Sequence, residues 1–143
     1  MKRLALVIAL VFCTPAHADR LVQFPMPDPP PPVIAAGCPG DVLKSCTGPG
    51  QPIYLATTDR RDYWHEMGHQ FDYTRLDDGE RNRFRRAIRE QRPWVSSPNS
   101  PHEQFAEAYT VCALGVKSNG YTYWRQPSRV QRWACGFILR AAD

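Results

Sequence analysis

No stretch of this sequence is long and apolar enough to cross a bilayer. The longest apolar run is residues 4–13, LALVIALVFC, and a spanning helix needs about 20 such residues. A strong excess of one charge is also missing. Eighteen basic side chains face fourteen acidic ones, for a net charge of +4, so nothing marks a nucleic-acid partner. There is no internal repeat, which excludes a solenoid or propeller. No CxxC pair occurs, so a zinc site built from cysteines is disfavoured. Histidine is scarce, with four in 143 residues, and only His65, His69 and His102 lie beyond residue 18. The length suits one domain with a small core.

What is present begins with Lys2 and Arg3, a short apolar segment and the small-residue pattern Ala16-His17-Ala18. This is the pattern of a secretory signal peptide cut after Ala18, and it predicts a secreted, extracellular chain. Cleavage removes Lys2 and Arg3 and brings the net charge from +4 to +2. It also removes Cys13, leaving Cys38, Cys46, Cys112 and Cys135. An even number in an exported chain predicts two disulfides. Three pairings are open to four cysteines. The favoured one is a local clasp, Cys38–Cys46, with Cys112–Cys135 as a staple between two helices.

The organisation read from the chain is a signal peptide over 1–18, a proline-rich arm or linker over 19–37, and the functional domain over 38–143. The arm carries Pro25, Pro27 and the run from Pro29 to Pro32, which favours extended backbone. A strand is expected over 53–57, entered through Pro52. A helix should follow, capped by Thr58 or Asp59, with Asp62 in its first turn and Trp64, Met67, Gly68 and Phe71 on its apolar face. A second helix is expected from Asp78 to Gln91, stopped by Pro93 and buried through Phe84, Ala87 and Ile88. Its arginines, Arg81, Arg83, Arg85, Arg86, Arg89 and Arg92, read as a solvated basic face. Docking of an acidic substrate or cell-wall polymer is the sharper alternative. Ser100-Pro101-His102-Glu103 opens a third helix as a capping box, closed by Gly115. A turn or hairpin is expected over 117–127. A last helix starts near Ser128, with a second capping box through Gln131 and a core face of Val130, Trp133, Ala134, Phe137 and Ile138. The fold class is α+β and mainly helical, stapled by disulfides, and a monomer is expected.

The chemistry concentrates in His65-Glu66-Met67-Gly68-His69. Residues four apart share a helix face, so the two imidazoles aim at one point, as the first two ligands of a tetrahedral zinc must. Glu66 lies one step round. Zinc brings the pKa of a water it binds towards neutrality, and Glu66 is placed to take that proton as general base. A third ligand is needed. One extension of the motif uses a histidine or aspartate six residues on; that position is Arg75, which cannot ligate. The third helix offers Glu103 and Glu107, four apart, and the chemistry alone leaves both open. Glu103 also suits the capping box. Asp72 and Asp62 have structural roles open to them, a loop contact for Asp72 and the helix dipole for Asp62, beside that of orienting a histidine. His102, next to Glu103, is read as surface or substrate-facing.

The two segments His65-Glu66-Met67-Gly68-His69 and Glu103-Gln104-Phe105-Ala106-Glu107-Ala108-Tyr109 resemble the gluzincin zinc peptidases, most nearly the catalytic domain of the anthrax lethal factor group. That group pairs a HExGHxxD helix with a later ExFAEAF helix, and Asp72 falls at the last position of the first pattern. The resemblance covers roughly residues 53–115. It implies a minimal zincin-like domain, one Zn2+ held by His65, His69 and Glu103, and Glu107 holding a ligand histidine through its ring N–H. It also implies hydrolysis of peptide bonds in a peptide or protein substrate. The group's tyrosine seven residues before the ligand glutamate is replaced here by Ser96. Tyr121, Tyr123, Tyr109 and His102 are the candidates to stabilise the oxyanion instead. The first function expected is a secreted zinc-dependent endopeptidase. The alternatives are a non-catalytic secreted zinc-binding protein that recognises a partner, and a disulfide-stapled binding module in which the motif is accidental.

Overall fold

A computed structural model describes residues 24–95, 98–117 and 124–143. The expected signal peptide, Ser96, Tyr121, Tyr123 and the turn expected at Asn119-Gly120 lie outside these residues. Among the described residues two short strands, β1 (Val33–Ile34) and β2 (Ile53–Tyr54), precede four helices: α1 (Arg60–Arg75), α2 (Asp78–Ala87), α3 (Pro101–Leu114) and α4 (Ser128–Ala141). The chain is mainly helical with a small two-stranded sheet. The strands pair in parallel, with Val33 opposite Ile53 and Ile34 opposite Tyr54. Cys46 bridges Tyr54 from the other side.

β2 is shorter than the expected 53–57. Leu55 still bonds across to Ile34 and Gly37, but Ala56 N–H donates to Ser45 Oγ and Thr57 Oγ1 accepts from Asp59 N–H. The chain is thus drawn out of the sheet and into α1. Asp59 is the cap of that helix, accepting from Arg61 N–H at 2.9 Å. Asp62 accepts from Thr57 Oγ1 at 2.6 Å, so it secures the approach to the helix. Thr47 Oγ1, Gly48 O and Gln51 O converge on the buried Gln70 amide, fixing the segment after Cys46 to α1.

α2 stops at Ala87, four residues short of Gln91. The reason is a left-handed residue with no glycine to announce it: Arg89 has φ 58°. Around it Glu90 N–H reaches Arg85 O and Arg89 N–H reaches Arg86 O, the paired bonds of a Schellman ending. Arg81, Arg85 and Arg92 are tied to Asp72, to Gln91 O and to Glu90. Arg83, Arg86 and Arg89 are exposed.

α3 starts on Ser100, whose Oγ accepts from Glu103 N–H, with Pro101 in the first turn. It ends at Gly115, φ 64°. α4 starts without a side-chain cap on Pro127, so the expected box from Ser128 to Gln131 does not form. Gln131 instead donates to Val116 O.

α1 and α3 form the heart of the molecule. Met67 and Phe71 of α1 meet Phe105, Ala108, Tyr109 and Val111 of α3 in the core, joined by Phe84, Trp124, Phe137 and Ile138. The two backbones nearly touch at Gly68, where a Cβ would stand 2.8 Å from Ala106 Cα. Phe24 packs edge-on against Tyr109 with ring centroids 4.8 Å apart, and the Tyr109 hydroxyl donates to Pro25 O. Cys38 and Cys46 lie at disulfide distance, as do Cys112 of α3 and Cys135 of α4, with Cα–Cα separations of 5.6 and 5.4 Å. Among the described residues no helix is long and apolar enough to cross a membrane.

Candidate metal centre

α1 carries His65 and His69 on the face turned towards α3, one helical turn apart. α3 answers with Glu103 and Glu107, also one turn apart. The crossing at Gly68 and Ala106 lets these four side chains meet. His65 Nε2 lies 3.1 Å from His69 Nε2, 3.2 Å from Glu103 Oε2, and the His69 Nε2 to Glu103 Oε2 separation is 3.6 Å. A tetrahedral ion with metal–ligand bonds of about 2.0–2.1 Å has ligand atoms about 3.3–3.4 Å apart. The three atoms are spaced close to one face of such a tetrahedron. This group of His65, His69 and Glu103 could hold a metal ion. No fourth protein donor joins it among the described residues.

Glu107 stands on the other side of His65, with Oε1 3.3 Å from Nδ1. Its second oxygen is buried without a partner among the described residues. Glu66 is 6% exposed. Burial pushes its carboxyl up to about 7, with His65 opposing and Glu103 and Asp62 adding to the rise. It is therefore a group able to take and return a proton near neutrality. Burial disfavours charge on His65, but the Glu103 and Glu107 carboxylates outweigh it and raise the ring to about 10. His69 goes the other way, down to about 4, through burial and with His65 beside it. Burial opposes ionisation of Glu103, yet its bonds to both histidines hold it well below the usual carboxylate range.

Among the described residues the Asp72 carboxylate bonds neither His65 nor His69. It is 1% exposed and accepts three bonds: from Arg81 Nε at 2.8 Å, Trp94 Nε1 at 2.8 Å and His102 Nδ1 at 2.7 Å. His102 is not at the surface. It is 5% exposed, and its other nitrogen lies 3.2 Å from the Tyr73 hydroxyl. The expectation of a surface or substrate-facing ring fails because α1 and Trp94 close over that side of α3. Tyr109, another candidate for the oxyanion, has its hydroxyl committed to Pro25 O.

Tyr73 is the residue that sequence reasoning missed. It is half-buried, its ring lies 6.5 Å from that of His69 at an interplanar angle of 24°, and burial together with Asp72, Glu103 and Glu66 raises its hydroxyl pKa. The signal was available: His65, His69 and Tyr73 recur every four residues and so share one face of α1. Compared with the models of known protein families, with curated proteins and with solved structures, the chain matches none.

Proposed function

We propose that this chain is a secreted zinc peptidase that uses His65, His69 and Glu103 to hold one Zn2+ and Glu66 as general base. The observation that carries the reading is the triangle of donor atoms, 3.1, 3.2 and 3.6 Å on its sides, with a buried carboxyl beside it and no fourth protein donor among the described residues. Two nitrogens and one carboxylate oxygen with an open position are the donor set of a catalytic rather than a structural zinc site. Zinc there supplies Lewis-acid chemistry, polarising a carbonyl oxygen and acidifying water.

The chain's own residues do the rest. Glu66, with a pKa near 7, accepts the proton of the attacking water and hands it to the departing amine. Glu107 steadies His65 through Nδ1. Tyr73, on the same face of α1 as both histidines, has its hydroxyl engaged by His102 Nε2, as Tyr109 has its own engaged by Pro25 O. The paired cysteines are compatible with an extracellular protein.

The test is elemental analysis of the purified chain and its variants, followed by a peptide-library assay. Wild type and Glu66→Gln should each carry one zinc, and Glu103→Ala should carry none. Only wild type should cut peptides. A wild type that holds zinc but cuts nothing leaves the non-catalytic binding protein; a wild type that holds no zinc sinks both.

A further inference from the structure

Metal-binding histidines are ordinarily steadied through the ring nitrogen that faces away from the metal, which donates to a carboxylate or carbonyl. His65 has such a partner in Glu107. His69 does not: among the described residues its buried Nδ1 meets no acceptor. What His69 has lies against the flat of its ring. His102 stacks there, with centroids 4.1 Å apart and an interplanar angle of 29°. His102 is itself held at both nitrogens, by Asp72 at 2.7 Å and by Tyr73 at 3.2 Å. An aspartate carboxylate only accepts, so His102 Nδ1 bears the hydrogen and donates. Asp72 in turn is fixed by Arg81 and Trp94.

We propose that His102 is the positioning residue for His69, setting the plane of that ring by stacking where an acceptor at Nδ1 would otherwise do so. This rests on the metal-centre reading. Rotation of an imidazole about its last torsion is soft, and nothing else among the described residues fixes it by a bond to Nδ1. The stack has an electrostatic part as well. A ring carrying a cation at Nε2 becomes electron-poor, and a neighbour whose N–H is polarised by a buried carboxylate is electron-rich. Their attraction grows when metal binds. His102 thus strengthens the site while contributing no ligand atom.

The experiment uses the full chain as wild type, His102→Leu and His102→Phe. Zinc affinity is measured by competition with a chromogenic chelator. Ligand geometry is read from the visible absorption of the Co2+-substituted protein, and the metal-free melting temperature is recorded for each variant. His102→Leu should lose about tenfold or more in zinc affinity, the usual effect of removing an orienting partner, and should shift the Co2+ bands. His102→Phe keeps a flat ring and should recover part of both. Wild-type affinity and an unshifted Co2+ spectrum in His102→Leu would overturn the proposal, whatever the melting temperature does. Equal losses in the Leu and Phe variants would overturn it too, since stacking would then not be the cause. If His102→Leu does not fold, Tyr73→Phe, which frees one nitrogen of His102, carries the test: a Co2+ band shift supports the proposal and an unmoved spectrum overturns it. A wild type that takes up neither zinc nor cobalt refutes the metal centre itself, a result distinct from wild type and variants binding alike.

Discussion

Replacing Gly68 with alanine tests whether the α1–α3 crossing sets the spacing of the donor atoms. The added methyl would stand 2.8 Å from Ala106 Cα, 3.0 Å from Tyr109 Cβ and 3.2 Å from Ala106 O. Carbon atoms settle at about 3.5–4.0 Å, and two of the three obstacles are backbone, so no rotamer change relieves the clash. The helices must part by roughly 0.5–1 Å, at about 1–3 kcal/mol for an overpacked core. The separation within α1, His65 to His69, is untouched. The two separations that span the helices, 3.2 and 3.6 Å to Glu103, open by the same amount. They then exceed the tetrahedral edge of about 3.4 Å by enough to detach Glu103. Calorimetry of the metal-free protein should show a melting temperature lower by roughly 5–15 °C. Competition titration should show zinc affinity down by at least about tenfold, the effect of a lost ligand being no smaller than that of a lost orienting group. Unchanged affinity, even with a lowered melting temperature, would refute the argument, because α3 would then have adapted locally without moving Glu103.

Zinc binding should release about one proton at pH 7–8, because His65, raised to about 10 in the metal-free protein, must lose its proton while His69, lowered to about 4, is already neutral. Affinity should therefore climb about tenfold per pH unit above neutrality; calorimetry in buffers of different ionisation enthalpy counts the proton, and a count of zero contradicts the charge assignment. Asp72 has a folded pKa below its ordinary 3.8, so its contribution to stability is complete above that value and is lost as the pH falls through the folded pKa. Asp72→Ala should cost about 3–5 kcal/mol at pH 7, since it strands Arg81 and His102, and urea titrations should show the deficit shrinking below pH 4. A deficit that stays constant down to pH 2 would mean that the carboxylate is not what holds the network.

Helix positions were largely legible because they rest on local signals. Asp59 before α1, Ser100-Pro101 before α3 and Gly115 after it are caps whose chemistry acts within four residues. The misjudged boundaries are those that no capping residue type announces. α2 ends at Ala87, just before the unannounced left-handed Arg89, and α4 starts uncapped because Pro127, which has no side-chain acceptor, takes the cap position. His102 was misread for a different reason. Position on its own helix put it off the Glu103 face, but its burial is decided by α1 and Trp94, which periodicity within α3 cannot show.

The choice between Glu103 and Glu107 shows where sequence information runs out. Both lie one turn apart on the same face of α3, and both are glutamates. What separates them is where α1 crosses. With Gly68 seated over Ala106, the acid three residues before that contact reaches the Nε2 side of both histidines, while the acid one residue after it reaches only Nδ1 of His65. A shift of the crossing by one turn would exchange the two roles without altering a single periodicity. Glycine at 68 fixes that crossing because any side chain would push the helices apart. The same residue therefore decides both how closely the helices pack and which glutamate meets the two imidazoles.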